Sequence, residues 1–418
     1  MNNLAYISLS HPTRQIHGSI RIFGSKSESN RALIIRALSS GLIQIENLSN
    51  ADDTTTLEAI LSTIHPEDNR QIIDVGHAGT GMRFLTAYLA ISPGKYILTG
   101  SERMKHRPIK PLVDALRQAG ANINYLGEVG FPPLDISGTY LDPETPIDID
   151  ASVSSQFVSA LLLIAPKMKH GLNLTVSQNI ASAPYIAMTL AMMDEAGIFF
   201  QKNNNLISIA QQQYKRKTLY IEADWSSASY WFSMAALSQD AEIELIGLKE
   251  HSKQGDRVIV DLMKSLGIES KYTHQGLLLK KSRSTTEMEL RFDFADCPDL
   301  AQTVLVCAAA LGKNAVFTGV ETLKIKETDR LSALSQELQK IGIKIEDHNN
   351  HYYLNASGLQ FPDEVTFDTY EDHRMAMALA SLTLKCQRVI IRQPFVITKS
   401  YPTYWEDLKS VGFECNFI

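Results

Sequence analysis

Basic residues at the starts of candidate helices are the first feature of this sequence that could do chemistry. The segment GSKSESNR places Lys26 and Arg31 around three serines at the opening of an apolar helical pattern. Cationic side chains and free backbone N–H groups at a helix start favour phosphate or carboxylate ligands. A nucleotide P-loop would need a glycine directly before its lysine, but Ser25 stands there. The segment therefore predicts an anion site that does not bind ATP.

Four more segments of the N-terminal half offer ligand-binding groups. GHAGTGMR, residues 76–83, is a glycine-rich turn entering a helix, and its spacing does not fit a dinucleotide site. RMKHRP, residues 103–108, gathers basic side chains before a proline. SSQ at 154–156 and SAPY at 182–185 supply hydroxyls and an amide. A solvated basic loop, or simple helix capping, would also explain the last three segments taken singly.

The C-terminal half combines cations with a few acids. KETDR places Lys326 and Arg330 about one helical turn apart with Glu327 beside them, which in isolation is a common surface ion-pair pattern. DCPD at 296–299 and EDHR at 371–374 begin two further helices, and Lys399 in ITKSYP precedes the last helix. Isolated acids among many cations suit proton transfer at a carbon atom of a bound anion.

One set of predicted helices is amphipathic and ends in glycine. Their apolar residues recur at helical spacing, and a glycine at the end predicts a left-handed C-cap. Successive glycines are about 70 to 77 residues apart, which indicates a repeat of several strands and two helices. The five segments are 111–120, 185–197, 258–267, 331–342 and 403–412, with a weaker sixth at 56–64.

A second set of helices is small and apolar on every side, which predicts burial. Each begins with polar or charged residues, so we expect six helix N-termini to gather at a common anion site. These segments are 30–41, 81–91, 154–166, 226–237, 299–311 and 372–384. Strand patterns lie between the helices at 18–24, 96–100, 172–177, 218–223, 241–245 and 388–394.

The repeat predicts an α/β protein of two domains with three repeats each. Strand patterns give way to polar turns near Phe23 and Gly24 and again at 222–224, where the chain is expected to cross between domains. One domain would comprise 1–23 plus 224–418, and 24–223 would form the inserted second domain. We expect the active site in the cleft between the two domains.

Composition excludes several classes of protein. The chain has 418 residues, 44% of them hydrophobic and 21% charged, as in folded proteins. A net charge of −6 argues against a nucleic-acid partner, and four scattered cysteines without zinc spacing argue against a metal site. The first fifteen residues lack the pattern of a signal peptide, and no apolar run is long enough for a membrane span. The cytoplasm is the expected location.

Taken in order, these segments resemble the 5-enolpyruvylshikimate-3-phosphate synthase family of enolpyruvyl transferases. The resemblance runs through GSKSESNRAL, GHAGTGMRFLTA, RMKHRPIKPLVDALRQAGA, SSQF, SAPY, KETDRL, DHRMAMALA and TKSYP. It implies a two-domain inside-out α/β barrel in which each domain has three βαβαββ repeats around buried helices. It also implies a monomer that needs no metal or organic cofactor, acts on phosphoenolpyruvate and shikimate 3-phosphate, and is inhibited by glyphosate.

The resemblance also implies roles for individual residues. Asp299 and Glu327 are the acid–base candidates, with Lys26 and Lys399 as further catalytic residues. Shikimate 3-phosphate would contact Lys26, Ser27, Arg31, Ser154, Ser155, Gln156, Ser182, Tyr185, Asp299 and Lys326. Phosphoenolpyruvate would contact Lys26, Gly79, Arg107, Gln156, Arg330, Arg374 and Lys399. His77, His106 and Thr322 depart from the residues usual in the family, so their roles stay open.

Two alternatives follow from the same residues. The sister transferase acting on UDP-N-acetylglucosamine uses a reactive cysteine in its N-terminal half, whereas all four cysteines here lie beyond residue 290. A catalytically inactive binding module would be expected to have lost some of the residues that do chemistry. Lys26, Asp299, Glu327, Arg374 and Lys399 are all present.

Overall fold

The computed structural model describes residues 5–64, 70–178, 180–287 and 289–418. Residues 1–4, on which the signal-peptide prediction partly depends, lie outside the described residues. The chain divides into two compact units, here called unit 1 (Met1–Phe23 with Glu222–Ile418) and unit 2 (Gly24–Ile221). Unit 1 resumes at Glu222, two residues before the predicted boundary. The side chain of Glu222 is hydrogen-bonded to other residues of unit 1, because its Oε1 accepts from Trp225 Nε1 at 2.8 Å and from the Lys249 backbone N–H at 3.0 Å.

Both sets of predicted helices are present. The α-helices of the described residues are α1 Lys26–Leu38, α2 Asp52–Thr63, α3 Gly79–Ile91, α4 Lys110–Gln118, α5 Ser155–Ile164, α6 Ala183–Glu195, α7 Trp225–Leu237, α8 Ile259–Leu262, α9 Ala301–Ala310, α10 Arg330–Gln339, α11 His373–Ala380 and α12 Tyr404–Ser410. Short 3₁₀ turns cover Met104–His106, Ala165–Lys167, Gly255–Val258, Pro298–Leu300, Glu321–Ile325, Ser381–Leu384 and Pro394–Lys399.

The strands that separate these helices are short. They are β1 Tyr6–Ser10, β2 Gln15–Arg21, β3 Ile43–Glu46, β4 Gln71–Asp74, β5 Lys95–Thr99, β6 Asn122–Tyr125, β7 Leu134–Ser137, β8 Ile147–Ile149, β9 Leu172–Val176, β10 Gln201–Asn203, β11 Leu206–Ile209, β12 Lys217–Tyr220, β13 Asp240–Ile246, β14 Ile268–Tyr272, β15 Gly276–Lys281, β16 Glu289–Asp293, β17 Asn314–Thr318, β18 Lys344–His348, β19 His351–Asn355, β20 Glu364–Phe367, β21 Arg388–Arg392 and β22 Glu414–Phe417.

The sheets repeat one topology. In β4-β5-β7-β6, a parallel pair is followed by an antiparallel hairpin, and the sheets β8-β9-β11-β10, β16-β17-β19-β18, β2-β13-β15-β14 and β20-β21-β1-β22 have the same order. With their helices, these five sheets form βαβαββ copies, three in unit 1 and two in unit 2. One unit 1 copy takes its last strand, β1, from the start of the chain, and another is interrupted by unit 2 between β2 and α7. The sixth copy pairs only β12 with β3, and its hairpin is missing from the described residues. Among the described residues, the predicted repeat is therefore complete in five copies and lacks the hairpin in the sixth.

The predicted glycine caps are confirmed. Gly120, Gly197, Gly267, Gly342 and Gly412 all have positive φ, between 80° and 101°. After each glycine, the next backbone N–H donates to the carbonyl five residues earlier, as Ala121 does to Leu116 at 2.9 Å. This is the Schellman pattern, which satisfies the last carbonyls of a helix.

The segment 258–267 is less regular than predicted. Only Ile259–Leu262 is α-helical, between the 3₁₀ turn Gly255–Val258 and a tight bond from the Leu266 N–H to the Met263 carbonyl at 3.1 Å. Three consecutive β-branched residues, Val258 to Val260, lower helix propensity here because their side chains lose rotamer freedom.

Each unit has its own core around the apolar helices. Every residue of α9 is buried in unit 1, and nine of the ten residues of α5 are buried in unit 2. Burial on all sides explains why these helices lack a polar stripe. Within the described ranges, no helix is long and apolar enough to cross a membrane.

Candidate active site

Five charged residues of unit 1 form one continuous series of ion pairs. Lys399 Nζ lies 2.9 Å from Glu327 Oε1, and Glu327 Oε2 lies 2.8 Å from Arg330 Nη2. Arg330 Nη1 is 3.2 Å from Asp299 Oδ1, and Asp299 Oδ2 is 2.8 Å from Arg374 Nη2. The structure thus brings together the residues that the sequence analysis selected from four separate segments. We call this series the unit 1 charge cluster.

Arg330 is the centre of the cluster. Its side chain is 2% exposed, and its Nε donates to the fully buried Asp372 Oδ2 at 2.6 Å. Burial acts to lower the pKa of Arg330, but Asp372 and Glu327 outweigh burial and raise it. The guanidinium therefore stays charged and holds three carboxylates in place. The alternative that KETDR is a solvent-exposed ion-pair pattern is wrong for Arg330.

Helix caps fix the cluster's geometry. Asp372 is the N-cap of α11, where its Oδ1 accepts from the Arg374 backbone N–H at 2.8 Å while Oδ2 holds Arg330. Asp299 lies in the 3₁₀ turn that leads into α9, and its backbone carbonyl accepts from Arg374 Nη1 at 3.1 Å. The starts of α9, α10 and α11 are therefore tied together by charged hydrogen bonds.

In unit 2, Lys26 is paired with a residue that sequence reasoning missed. Lys26 Nζ lies 3.2 Å from Asp53 Oδ2, and the two side chains are 15% and 6% exposed. Asp53 lies in the first turn of α2, where a carboxylate also complements the helix dipole. The doublet of aspartates before the weak amphipathic segment 56–64 was the available signal. That pattern does not indicate that Lys26 is the partner of Asp53.

Arg31 packs deep inside unit 2. Its Nε donates to Thr189 Oγ1 at 2.7 Å, and Nη2 donates to Ser159 Oγ at 3.2 Å and to the Tyr185 carbonyl at 3.1 Å. Nη1 donates to the Ser27 carbonyl at 2.8 Å. Burial lowers the pKa of Arg31 to about 10, which still leaves it charged at neutral pH. Four of its five N–H groups thus bond protein atoms, so an expected ligand contact would use the remaining one on Nη1.

Gly79 and Arg107 lie against each other. A methyl group at Gly79 would come within 2.6 Å of Arg107 Nη1 and 2.7 Å of Nη2, so only glycine leaves this guanidinium in place. Arg83 supports the arrangement, because it donates to the Gly79 carbonyl at 3.3 Å and to the Pro108 carbonyl at 2.6 Å. Arg107 is 7% exposed, so the solvated-loop alternative is wrong for this residue.

The remaining candidates of unit 2 are buried or half-buried residues at the starts of α5 and α6. Ser154 caps α5 by accepting from the Gln156 backbone N–H at 3.2 Å, and Gln156 Nε2 donates to Thr80 Oγ1 at 3.2 Å. Ser155, the first residue of α5, is 5% exposed. Ser182 has a left-handed backbone with φ 59°, an unusual conformation for serine that orients the start of α6. Thr80, which contacts Gln156, and Asp53, which contacts Lys26, are residues that the sequence analysis did not name as site residues.

Lys326 and Thr322 lie close in sequence to Glu327, at the 3₁₀ turn Glu321–Ile325. Lys326 is the C-cap of the 3₁₀ turn Glu321–Ile325 and precedes Glu327 directly. Thr322, whose role the sequence analysis left open, lies within the same turn and is partly exposed. Within the described ranges, no group of three His, Cys, Asp or Glu residues could hold a metal ion.

A sequence profile of the family described as EPSP synthase (3-phosphoshikimate 1-carboxyvinyltransferase) matches residues 10–408. The chain belongs to the EPSP synthase family. A 3-phosphoshikimate 1-carboxyvinyltransferase from Bacteroides fragilis is 45% identical over 408 residues, which cover 97% of each chain. One from Sulfurovum sp. is 34% identical over 426 residues, covering 96% of this chain and 98% of its own. The family resemblance is therefore confirmed along nearly the whole chain.

Solved structures of an EPSP synthase and of another enolpyruvyl transferase share the fold. EPSP synthase from Acinetobacter baumannii superposes with a TM-score of 0.77 at 20% identity, covering 99% of this chain and 100% of that chain. The enolpyruvyl transferase NikO from Streptomyces tendae gives 0.75 at 15% identity, covering 99% of both chains. The predicted two-domain α/β fold is confirmed.

His77 and His106, whose roles the sequence analysis left open, lie at exposed positions. His77 is exposed in the turn before α3, and His106 is exposed with its Nδ1 2.8 Å from the Glu102 carbonyl. Neighbouring Gly79 and Arg107 are buried. Substitutions at exposed positions leave the packed Gly79–Arg107 contact intact.

Proposed function

We propose that this protein transfers the enolpyruvyl group of phosphoenolpyruvate to the 5-hydroxyl of shikimate 3-phosphate and releases phosphate. This reaction leads to chorismate and the aromatic amino acids. The observation that supports it most is the unit 1 charge cluster, which joins two acid–base candidates to three cations in the order Lys399, Glu327, Arg330, Asp299 and Arg374. We further propose that the protein works in the cytoplasm as a monomer, without a metal or organic cofactor.

The cations would stabilise the charge of both ligands. Arg330, Arg374 and Lys399 in unit 1 and Lys26, Arg107 and Gln156 in unit 2 would bind the phosphate and carboxylate of phosphoenolpyruvate, with Gly79 leaving room for the ligand. Guanidinium groups suit this task because they bind such oxygens in pairs. Shikimate 3-phosphate would contact Lys26, Ser27, Arg31, Ser154, Ser155, Gln156, Ser182, Tyr185, Asp299 and Lys326. Both units are then needed for activity.

The reaction would proceed by addition and elimination. Asp299 accepts the proton of the 5-hydroxyl while that oxygen bonds to C2 of phosphoenolpyruvate, and C3 receives a proton from Glu327 or Lys399. The product of this addition is a tetrahedral ketal phosphate. The bond from C2 to the phosphate oxygen then breaks, a proton leaves C3, and the enol ether forms. Cations already in place around the ligands lower the cost of the added negative charge.

Phosphate release with different acceptors tests the proposal. Phosphoenolpyruvate is supplied with shikimate 3-phosphate, with UDP-N-acetylglucosamine, or without an acceptor. We expect release only with shikimate 3-phosphate and inhibition of that release by glyphosate. Release with the sugar nucleotide would favour the sister transferase. Failure to release phosphate with either acceptor would favour an inactive binding module.

Gly79→Ala is expected to raise the KM for phosphoenolpyruvate about tenfold while leaving the KM for shikimate 3-phosphate nearly unchanged. The added methyl group would lie 2.6 Å from Arg107 Nη1 and displace the guanidinium. Steady-state kinetics with each substrate varied in turn measures both constants. Gly81→Ala is a matched control in the same helix, because its methyl group would contact Ala78 rather than Arg107. Equal KM changes in both variants would contradict the expected role of Arg107.

A further inference from the structure

A second buried aspartate in unit 1 has no role in the mechanism above. Asp256 lies in the 3₁₀ turn Gly255–Val258 and is 3% exposed. Its Oδ2 accepts a hydrogen bond from the Ser226 hydroxyl at the start of α7. Its Oδ1 is buried without a hydrogen-bond partner among the described residues. A buried carboxylate oxygen without a donor is costly, so its retention calls for an explanation.

Asp256 and Asp299 are carried by turns that pack on the same helix. The turns Gly255–Val258 and Pro298–Leu300 both contact α7. Cys297, two residues before Asp299, is close enough to Asp256 for that carboxylate to contribute, after burial, to raising the thiol's pKa. The two carboxylates are therefore neighbours in space although 43 residues separate them in sequence.

The charges that face Asp256 come from several elements. Burial, followed by the negative charge of Asp299, raises its pKa to about 7. The Ser226 hydroxyl and the Arg374 guanidinium act in the opposite direction, and Asp224 at the N-cap of α7 acts in the same direction as Asp299. Asp256 therefore gains its negative charge within the neutral range of pH.

We propose that Asp256 is a positioning residue whose negative charge strengthens Asp299 as the base that accepts the substrate's hydroxyl proton. This inference rests on the proposed function, because it takes Asp299 as that base. In this proposal the charge of Asp256 acts through Asp299, and Asp256 itself does not touch the substrate.

The physical reason lies in the partners of Asp299. Two guanidinium groups, from Arg330 and Arg374, bond its two carboxylate oxygens, which makes the carboxylate a weak proton acceptor. A like charge nearby makes protonation of Asp299 more favourable, and water screens this repulsion little in a buried site. Asp256 thus offsets part of the effect of the two cations while they remain available to hold the ligand and the acid–base residues.

The test is the pH dependence of kcat/KM for the wild-type chain and Asp256→Asn, with phosphoenolpyruvate and shikimate 3-phosphate as substrates. The amide keeps the shape of the side chain and removes its charge. We expect the ratio of wild-type to variant kcat/KM to be close to one at about pH 6 and to rise to about fivefold at about pH 8.5. The midpoint of this rise is expected near the pKa of Asp256, which is about 7.

Ser226→Ala is the matched second variant, because it keeps the carboxylate and removes only its hydrogen bond. That bond lowers the pKa of Asp256, so its removal shifts the titration of Asp256 to higher pH. The ratio of the Ser226→Ala kcat/KM to the Asp256→Asn kcat/KM is therefore expected to rise as it does for wild type, but at higher pH. A merely structural role would lower kcat/KM in both variants by factors that do not change with pH, and that result would overturn the inference. Absence of wild-type phosphate release would instead overturn the proposed function.

Thermal unfolding gives a readout that does not depend on activity. The folded-state pKa of Asp256, about 7, lies above its ordinary value of 3.8, so the folded protein binds this proton more tightly than the unfolded chain does. The wild-type chain must bury a charge as pH rises, and Asp256→Asn need not. We expect the Tm of the variant to rise relative to wild type between about pH 4 and about pH 7 and then to level off. A difference in Tm that does not vary with pH would contradict the buried charge.

Discussion

Asp299→Asn and Glu327→Gln are each expected to lower kcat about 10²- to 10⁴-fold, the usual contribution of a positioned acid or base. Both side chains are largely buried and held by Arg330. The amides keep their shape but do not exchange protons, and each replaces one oxygen that accepts from a cation with an N–H donor. Steady-state phosphate release measures kcat. The pH dependence of kcat/KM separates the roles, because loss of a base removes an ascending limb and loss of an acid removes a descending limb.

The chain offers matched controls for these variants. Asp296→Asn changes an exposed carboxylate three residues before Asp299, and Glu321→Gln changes an exposed carboxylate at the start of the preceding 3₁₀ turn. Both controls should retain kcat within about twofold, since exposed charges contribute little. If Asp299→Asn or Glu327→Gln kept near wild-type kcat, that residue would not be an acid–base group of the reaction.

Arg330→Met is expected to cause the largest loss of stability, about 3–5 kcal/mol. The substitution leaves Asp372 buried without its 2.6 Å partner and deprives Asp299 and Glu327 of a shared cation. For a unit of roughly 200 residues this corresponds to a fall in Tm of about 10 °C. Differential scanning calorimetry of the full chain measures the shift in the unfolding of unit 1.

Arg388→Met provides the comparison for Arg330→Met. Arg388 forms an ion pair with Glu364 at 3.0 Å, but both side chains are more than half exposed. An exposed pair contributes at most about 1 kcal/mol, so the Tm should fall by no more than a few degrees. Equal shifts for the two variants would contradict the structural importance assigned to the buried charge cluster.

Local patterns predicted most of the fold. The glycines that end the amphipathic helices, such as Gly120 and Gly412, adopt the left-handed conformation because each helix needs a residue without a Cβ there. The helices that are apolar on every side are buried because they have no polar face to expose to water. The absence of a hairpin from the described part of the sixth repeat was not predicted, because one weak amphipathic segment gives no information about the strands that follow it.

The site was predictable in residue types but not in contacts. The sequence selected Asp299, Glu327, Arg330, Arg374 and Lys399, and the structure joins them in one series of ion pairs. The sequence could not show that Lys26 pairs with a residue of the next helix, or that the turns around residues 256 and 299 pack on one helix. Such pairings depend on how distant segments meet in space. Local periodicity carries no information about them.

The most direct test of the proposed reaction follows carbon atoms rather than phosphate. Phosphoenolpyruvate labelled with ¹³C at C2 is incubated with shikimate 3-phosphate and the protein, and the products are identified by NMR. We expect the labelled carbon to appear in an enol ether of shikimate 3-phosphate, with one phosphate released per enol ether formed. Labelled pyruvate, or unchanged phosphoenolpyruvate in the presence of folded protein, would contradict the proposed function.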